Sequence, residues 1–251
     1  MEAPVTFGDR LKDWNRVFNW TMVHRRDSDI FAPYGSFARR TSKYDTHVPP
    51  FVWTSKEKMA AWFVSNCDAQ SRRQEYVRLL QRDVHVDIYG SCGNMTCPKS
   101  SSSNCLYQLH KKYRYYLAFE NSLCEDYITE KAMGIYQEGI DVIPVVRGSG
   151  DRYSMFLPPN SYISTQDFSI EKLAETMESL TNSEEEFEKY FAWRQYYYAE
   201  ETDLRFCDLC KKLHNAYKLE QLYESITDWL VDHPDHRNCK EPTDIDDELP
   251  D

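Results

Sequence analysis

At 251 residues, 41% hydrophobic and 14% aromatic, the chain can bury a core of ordinary size and is too aromatic for an intrinsically disordered protein. A formal net charge of −11 argues against a general nucleic-acid or anionic-membrane binder, although a local basic cluster could still grip one phosphate ligand. Its apolar runs fall far short of the roughly 20 residues that cross a bilayer, and the opening MEAPVTFGDRLKDW lacks the basic-then-apolar pattern of a secretory signal.

Residues 1–55 are mixed and turn-rich, with Asp27-Ser28-Asp29, Ala32-Pro33-Tyr34-Gly35 and a closing Pro49-Pro50. Strand and helix patterns then alternate over residues 56–200. AAWFVSN from Ala60 reads as a buried strand, and Ser71 to Arg82 as a helix with Tyr76, Val77, Leu79 and Leu80 on one side. Val86 to Gly90 is the next strand. The polar, serine-rich stretch from Ser91 to Cys105 reads as a surface loop tied by a disulfide. Tyr115 to Phe119 forms a third strand followed by a helix to Gln137, and Asp141 to Val146 a fourth strand. Ile170 to Leu180 and Ser183 to Tyr198 carry long helical patterns with acidic first turns. Strands separated by helices imply an α/β fold with a parallel, doubly wound sheet, whose ligands sit at the carboxyl ends of the strands. Residues 201–240 read as cysteine-containing helices, and the acidic tail 241–251 as disordered.

Eight cysteines, an even count, favour disulfides in an oxidising compartment. Two sequons, Asn19-Trp20-Thr21 and Asn94-Met95-Thr96, point the same way and make Asn19 and Asn94 glycosylation candidates.

After the third strand, Thr129 can cap a helix that carries Lys131 in its first turn. A cation there is disfavoured unless an anion joins it. A diphosphate held by Lys131 and the helix amides is the functional reading; a solvated lysine on a frayed turn is the plainer reading of that residue alone.

The surrounding YLAFENSLCEDYITEK, Tyr116 to Lys131, closely resembles the signature of the α1,3-fucosyltransferases, roughly F-x-L-x-F-E-N-S, a short spacer and D-Y-I-T-E-K. FNWTMVHRRDSDIFAPYG from Phe18, AWFVSNCDAQSRRQEY from Ala61, VDIYGSCGN from Val86 and SYISTQDFSIEKLAETM from Ser161 look like further blocks of that family. The likeness covers about residues 1 to 215. It implies a GT-B-type glycosyltransferase of two Rossmann-like domains, the second binding GDP-fucose. In that scheme 1–55 is a remnant of the acceptor-side domain and 56–200 the donor domain.

The implied reaction transfers L-fucose from GDP-β-L-fucose, with inversion and without an essential metal or other cofactor, to the 3-hydroxyl of a GlcNAc residue. The blocks SNC, CGN and NSLC look most like the invertebrate and plant enzymes of the N-glycan core. Residue by residue, the resemblance puts Ser65 and Asn66 on the nucleotide, Arg73 and Lys131 on the diphosphate, and Tyr116, Asn121, Tyr127 and Glu130 on nucleotide or fucose. The family's general base, a Glu in a Glu-x-Pro-like turn, corresponds to Glu2. Its members are type II membrane proteins of the Golgi lumen, so the anchor and most of the first domain are expected to be missing here. The implied partners are GDP-fucose and a glycan or glycoprotein acceptor. The alternative is a truncated GDP-fucose-binding module without catalysis.

Asp27-Ser28-Asp29 has the D-x-D form of metal-dependent glycosyltransferases, but inside RRDSDIFAPYG it reads as a structural turn with Arg25 and Arg26 as partners. Cys207-x-x-Cys210 with His214 resembles half a zinc site, and disulfide chemistry is preferred. The expected bridges are Cys97 with Cys105, around the serine-rich loop, and Cys67 with Cys124, joining two strand ends. In relatives the C-x-x-C pair links back to the first domain, so Cys207 and Cys210 are left without their usual partners.

Overall fold

In the computed structural model, residues 3–41, 53, 56–97, 102–200, 205–215, 221–233 and 236–248 are described. Five strands, β1 (Lys58–Phe63), β2 (Val86–Tyr89), β3 (Tyr113–Phe119), β4 (Ile143–Arg147) and β5 (Ile163–Ser164), form one parallel sheet in the order β2-β1-β3-β4-β5. In the central strands β1, β3 and β4 the apolar runs AAWF, YYLAF and IPVV reflect cover on both faces, which parallel sheets require.

Alternate side chains sort to opposite faces. Ala60, Trp62, Leu117, Phe119 and Val145 pack with α1 (Arg73–Leu80) and α4 (Ile170–Thr181). Ala61, Tyr116, Ala118 and Val146 pack with α2 (Ser102–Lys112) and α3 (Glu130–Gln137). Each fully buried large apolar side chain contributes about 1.5–3 kcal/mol relative to exposure. Chain order reverses between β1 and β3, which are neighbours whose connections leave in opposite directions; at such a switch point a crevice opens beyond the carboxyl ends.

Several expectations change. The polar stretch before β3 includes a helix, α2, which the loop reading missed. The pattern from Ser183 to Tyr198 is not one helix. It divides into α5 (Glu184–Glu188), a 3-10 stretch Lys189–Gln195, and a strand Tyr197–Glu200 that pairs antiparallel with Ser36–Arg39. Pairing the N-terminal segment there satisfies backbone groups that a longer helix would have bonded internally.

Cys97 bonds Cys105 as expected, but Cys67 does not bond Cys124. Cys67 pairs with Cys92 because the chain leaves the adjacent strands β1 and β2 at both residues, while Cys124 pairs with Cys239 across a two-residue antiparallel ladder. Cys207 and Cys210 are exposed on α6 (Arg205–His214) and unbridged among the described residues.

The tail is also corrected: Thr243–Glu248 forms a 3-10 turn with Ile245 at 0% exposure in the α1/α4 core. One apolar anchor and aspartates that meet arginines hold a segment whose average composition reads as disordered. Beyond it, 249–251 lie outside the described residues. Among the described residues, no helix is long and apolar enough to cross a membrane.

Candidate functional site at the carboxyl edge of the sheet

The turn after β1 carries Ser65 and Asn66, both exposed, at the switch point. No glycine-rich phosphate loop occurs here; side chains fix the turn instead. The Asn66 carbonyl accepts from Arg73 Nη2 (3.2 Å) and Gln74 Nε2 (2.7 Å), and the Cys67–Cys92 disulfide fastens the turn to the next strand. Gly90, after β2, has φ +104°, and a Cβ there would lie 2.3 Å from the Val64 carbonyl oxygen. Only glycine permits that approach.

Arg73 is buried. Its Nη1 donates to the Phe119 carbonyl (2.7 Å), so the guanidinium ties the turn after β1 to the end of β3. Among its nitrogens Nε alone lacks a partner in the described structure. Ser71 adds two further ties across the crevice, donating from Oγ to the Glu120 carbonyl (2.7 Å) and from its amide to the Asn121 carbonyl (3.1 Å). Asn121 Oδ1 is buried with no hydrogen-bond partner among the described residues.

Directly beyond β3, the Glu120 carboxylate is buried, with Gly148 so close that a Cβ there would fall 2.7 Å from Glu120 Cγ. The carboxylate accepts from the Thr129 amide (2.8 Å), from Thr129 Oγ1 (2.9 and 3.0 Å) and from Lys131 Nζ (3.0 Å). Thr129 is the N-cap of α3, and its Oγ1 also accepts from Lys131 Nζ at 2.8 Å. The anion that a lysine in a first turn requires is therefore supplied by the chain itself. Burial pushes the Glu120 carboxyl above its ordinary range, while the Lys131 ammonium and the Thr129 donors pull it back. Sequence reasoning gave Glu120 no role, although the need for an anion beside Lys131 was its signal. Lys131 keeps its side chain 21% exposed, and Glu130, at 3.5 Å from its ammonium, points to solvent.

The two tyrosines expected at the ligand are both buried. Tyr116 lies within β3 on its α3 face, its ring 5.5 Å from that of Phe63. Tyr127 packs with Ala3, Cys124 and Cys239, and its ring meets the edge of His24 at 5.1 Å. Glu2 lies outside the described residues. His24 is buried, neither ring nitrogen has a hydrogen-bond partner among the described residues, and burial, then the Arg25 charge, lowers its pKa to about 4.

Asp27-Ser28-Asp29 is a structural turn, as expected. Arg25 binds Asp27 at 2.8 and 2.6 Å, and Asp29 accepts from the Thr21 amide, Tyr223 and Lys212. The expected partnership of the turn with Arg26 is not seen among the described contacts; the Arg26 amide donates instead to Asp126 (3.0 Å). Both sequon asparagines, Asn19 and Asn94, are exposed, with Asn19 Nδ2 donating to the Gln221 carbonyl (2.7 Å).

At the carboxyl edge the structure offers the Lys131 ammonium, 21% exposed at its side chain, and the exposed hydroxyl and amide groups of Ser65 and Asn66. These suit a polar, anionic ligand held by charge-assisted hydrogen bonds. Residues 53–229 match the family model described as "Glycosyltransferase family 10 (fucosyltransferase) C-term", and residues 1–35 that described as "Fucosyltransferase, N-terminal".

The chain is 39% identical over 252 residues to alpha-(1,3)-fucosyltransferase C of Drosophila melanogaster, covering 91% of this chain and 57% of the relative. It is 38% identical to glycoprotein 3-alpha-L-fucosyltransferase A of the same fly, covering 85% and 43%. To alpha-(1,3)-fucosyltransferase fut-5 of Caenorhabditis elegans it is 34% identical, covering 91% and 63%. The chain thus spans about half the length of these curated relatives.

Proposed function

The chain belongs to the glycosyltransferase family 10 fucosyltransferases, and from that premise we propose that it transfers L-fucose from GDP-β-L-fucose to the 3-hydroxyl of an N-glycan GlcNAc, with inversion. The observation that carries this reading is the bonded network at the switch point. Arg73 joins the Asn66 carbonyl to β3, and Glu120 joins β3 to Lys131, so the residues proposed to hold the donor share one rigid edge.

In the proposed reaction the acceptor oxygen attacks fucose C1 from the face opposite GDP. Its proton passes to the Glu2 carboxylate, and the bond from C1 to the β-phosphate oxygen breaks. Charge developing on that oxygen is met by Lys131, with Asn121 and Ser65 hydrogen-bonding the nucleotide or sugar. No metal is assigned a part. Arg73 serves by holding the turn at Asn66, because its guanidinium is already bound to two carbonyls. The proposed setting is the Golgi lumen, consistent with the three disulfides. The similarity to a relative named a glycoprotein 3-alpha-L-fucosyltransferase supports the acceptor class.

The test is calorimetric titration with GDP beside a transfer assay with GDP-fucose and a core N-glycopeptide. Binding and transfer, both lost in Lys131→Ala, are expected. Binding without transfer would make the chain a donor-binding module, and absence of both would overturn the donor reading.

A further inference from the structure

The acidic C-terminal segment crosses the α1 side of the same carboxyl edge. It is tethered by the Cys124–Cys239 bridge, by the pairing of Lys240 with Leu123, and by Gln70 Nε2 donating to the Lys240 carbonyl (3.0 Å). Beyond the tether the 3-10 turn inserts Ile245 between α1 and α4 and sets one aspartate on each side of it. Asp244 accepts two bonds from Arg147, Nε to Oδ2 at 2.8 Å and Nη2 to Oδ1 at 2.7 Å, and Asp246 accepts from Arg72 at 2.8 Å.

Arg147 is the last residue of β4, its side chain only 1% exposed, and its Nη1 donates to the Ser71 carbonyl at 2.7 Å. Ser71 is the residue that bonds the Glu120 and Asn121 carbonyls across the crevice. A carboxylate held bidentately by arginine beside the first β-α turn satisfies the same donors that a phosphate would. Beneath the segment a cleft of about 150 Å³ is lined by Arg147, Ser149, Thr165 and Asp244. Ser149 Oγ and Thr165 Oγ1 are buried in its wall with no hydrogen-bond partner among the described residues, so polar groups there stand unsatisfied while the segment is closed.

We propose that residues 241–248 are a built-in occupant of the phosphate-binding edge, in which Asp244 and Asp246 hold Arg147 and Arg72 until a nucleoside-diphosphate donor competes for them. The inference rests on the donor reading above. Because Cys239 stays bonded to Cys124, release is local. The turn leaves its seat while the tether keeps it at high effective concentration, so apparent donor affinity is reduced by the closed fraction.

The test uses the full chain and GDP. In the wild type, hydrogen exchange of amides 243–248 should quicken on GDP binding while that of 236–240 stays unchanged. By calorimetry, Asp246→Asn should bind GDP about threefold more tightly and Asp244→Asn about tenfold. Unchanged or weaker GDP affinity in variants that still fold, or slowed or unaltered exchange over 243–248, overturns the proposal. Should Asp244→Asn fail to fold, Asp246→Asn and the wild-type exchange still decide it. Wild-type GDP binding that Lys131→Ala abolishes, with exchange over 243–248 unmoved, sinks this inference alone. Absence of wild-type GDP binding sinks the donor reading and this inference together.

Discussion

Removing either member of the Glu120–Lys131 pair should cost stability, and removing both should cost less than the sum. Glu120 is 1% exposed at its side chain and Lys131 21%, so breaking the pair from the lysine side leaves a buried carboxylate with only the Thr129 donors. Stranding one partner of a buried pair costs about 3–5 kcal/mol. The Thr129 amide and hydroxyl still donate to Glu120 in Lys131→Met, which lowers the expectation to about 2–3 kcal/mol. In Glu120→Gln the partly exposed ammonium can turn to water, for about 2 kcal/mol. The double variant keeps a neutral acceptor for Thr129 and strands no charge, so a coupling of about 2 kcal/mol is expected.

Urea unfolding followed by tryptophan fluorescence, with disulfides intact, measures all four corners of the cycle. A pH series adds a second readout. A carboxyl whose folded pKa is raised binds its proton more tightly in the folded state, so stability falls as pH climbs from the unfolded value through the folded one. Burial raises Glu120, and loss of Lys131 removes the main opposing influence. Lys131→Met should therefore gain more stability between pH 7.5 and 5.5 than the wild type does. Additivity within about 0.5 kcal/mol, with parallel pH curves, would refute the pairing.

His24 supplies an independent acid response. Its folded pKa is lowered from 6.5 to about 4, so its contribution is constant above 6.5 and is lost as pH falls toward 4, reaching about 3 kcal/mol. His24→Phe preserves the edge contact with Tyr127 and should flatten that part of the melting-temperature profile; identical profiles would show that His24 is not the group responsible. Gly90→Ala places a Cβ against the Val64 carbonyl at a positive φ and should destabilise by about 3 kcal/mol. A urea midpoint within experimental error of the wild type would contradict the tight approach of the β1 and β2 ends.

The three central strands were legible because parallel strands covered on both faces leave continuous apolar runs, β2 because Gly90 stops its short run, and α1 and α4 from helical periodicity. What failed depended on neighbours distant in sequence. The Cys67–Cys92 bridge becomes evident only once β1 and β2 are known to be adjacent. Tyr116 keeps its motif-derived role as a proposal, and its burial within β3 depends on the α3 side packing over that face, which the motif does not show. The tail illustrates the opposite error, since composition averages over a segment and a single isoleucine with two placed aspartates suffices to dock it. For Lys131, the expectation of a nearby anion is met in the structure by Glu120, and the diphosphate stands as its proposed second partner.

Both faces of the carboxyl edge solve the same electrostatic problem in the same way. On the α3 face Lys131 is balanced by Glu120; on the α1 face Arg147 and Arg72 are balanced by Asp244 and Asp246. An edge built only from cations would repel itself when empty and would bind any polyanion strongly. Here each cation is fixed in place by an internal carboxylate, so little net charge is left to tighten the ground state. On the proposed reaction the donor acquires additional negative charge on the β-phosphate as its bond to the sugar breaks, and a fixed ammonium responds most to that increment. Binding energy held back from the substrate and realised as charge develops is what lowers a barrier. Glu120 would then weaken donor binding while favouring turnover. Glu120→Gln should accordingly bind GDP more tightly and, in a chain that transfers fucose, lower kcat more than KM; a fall in GDP affinity instead would show that Glu120 acts only by holding Lys131 in position.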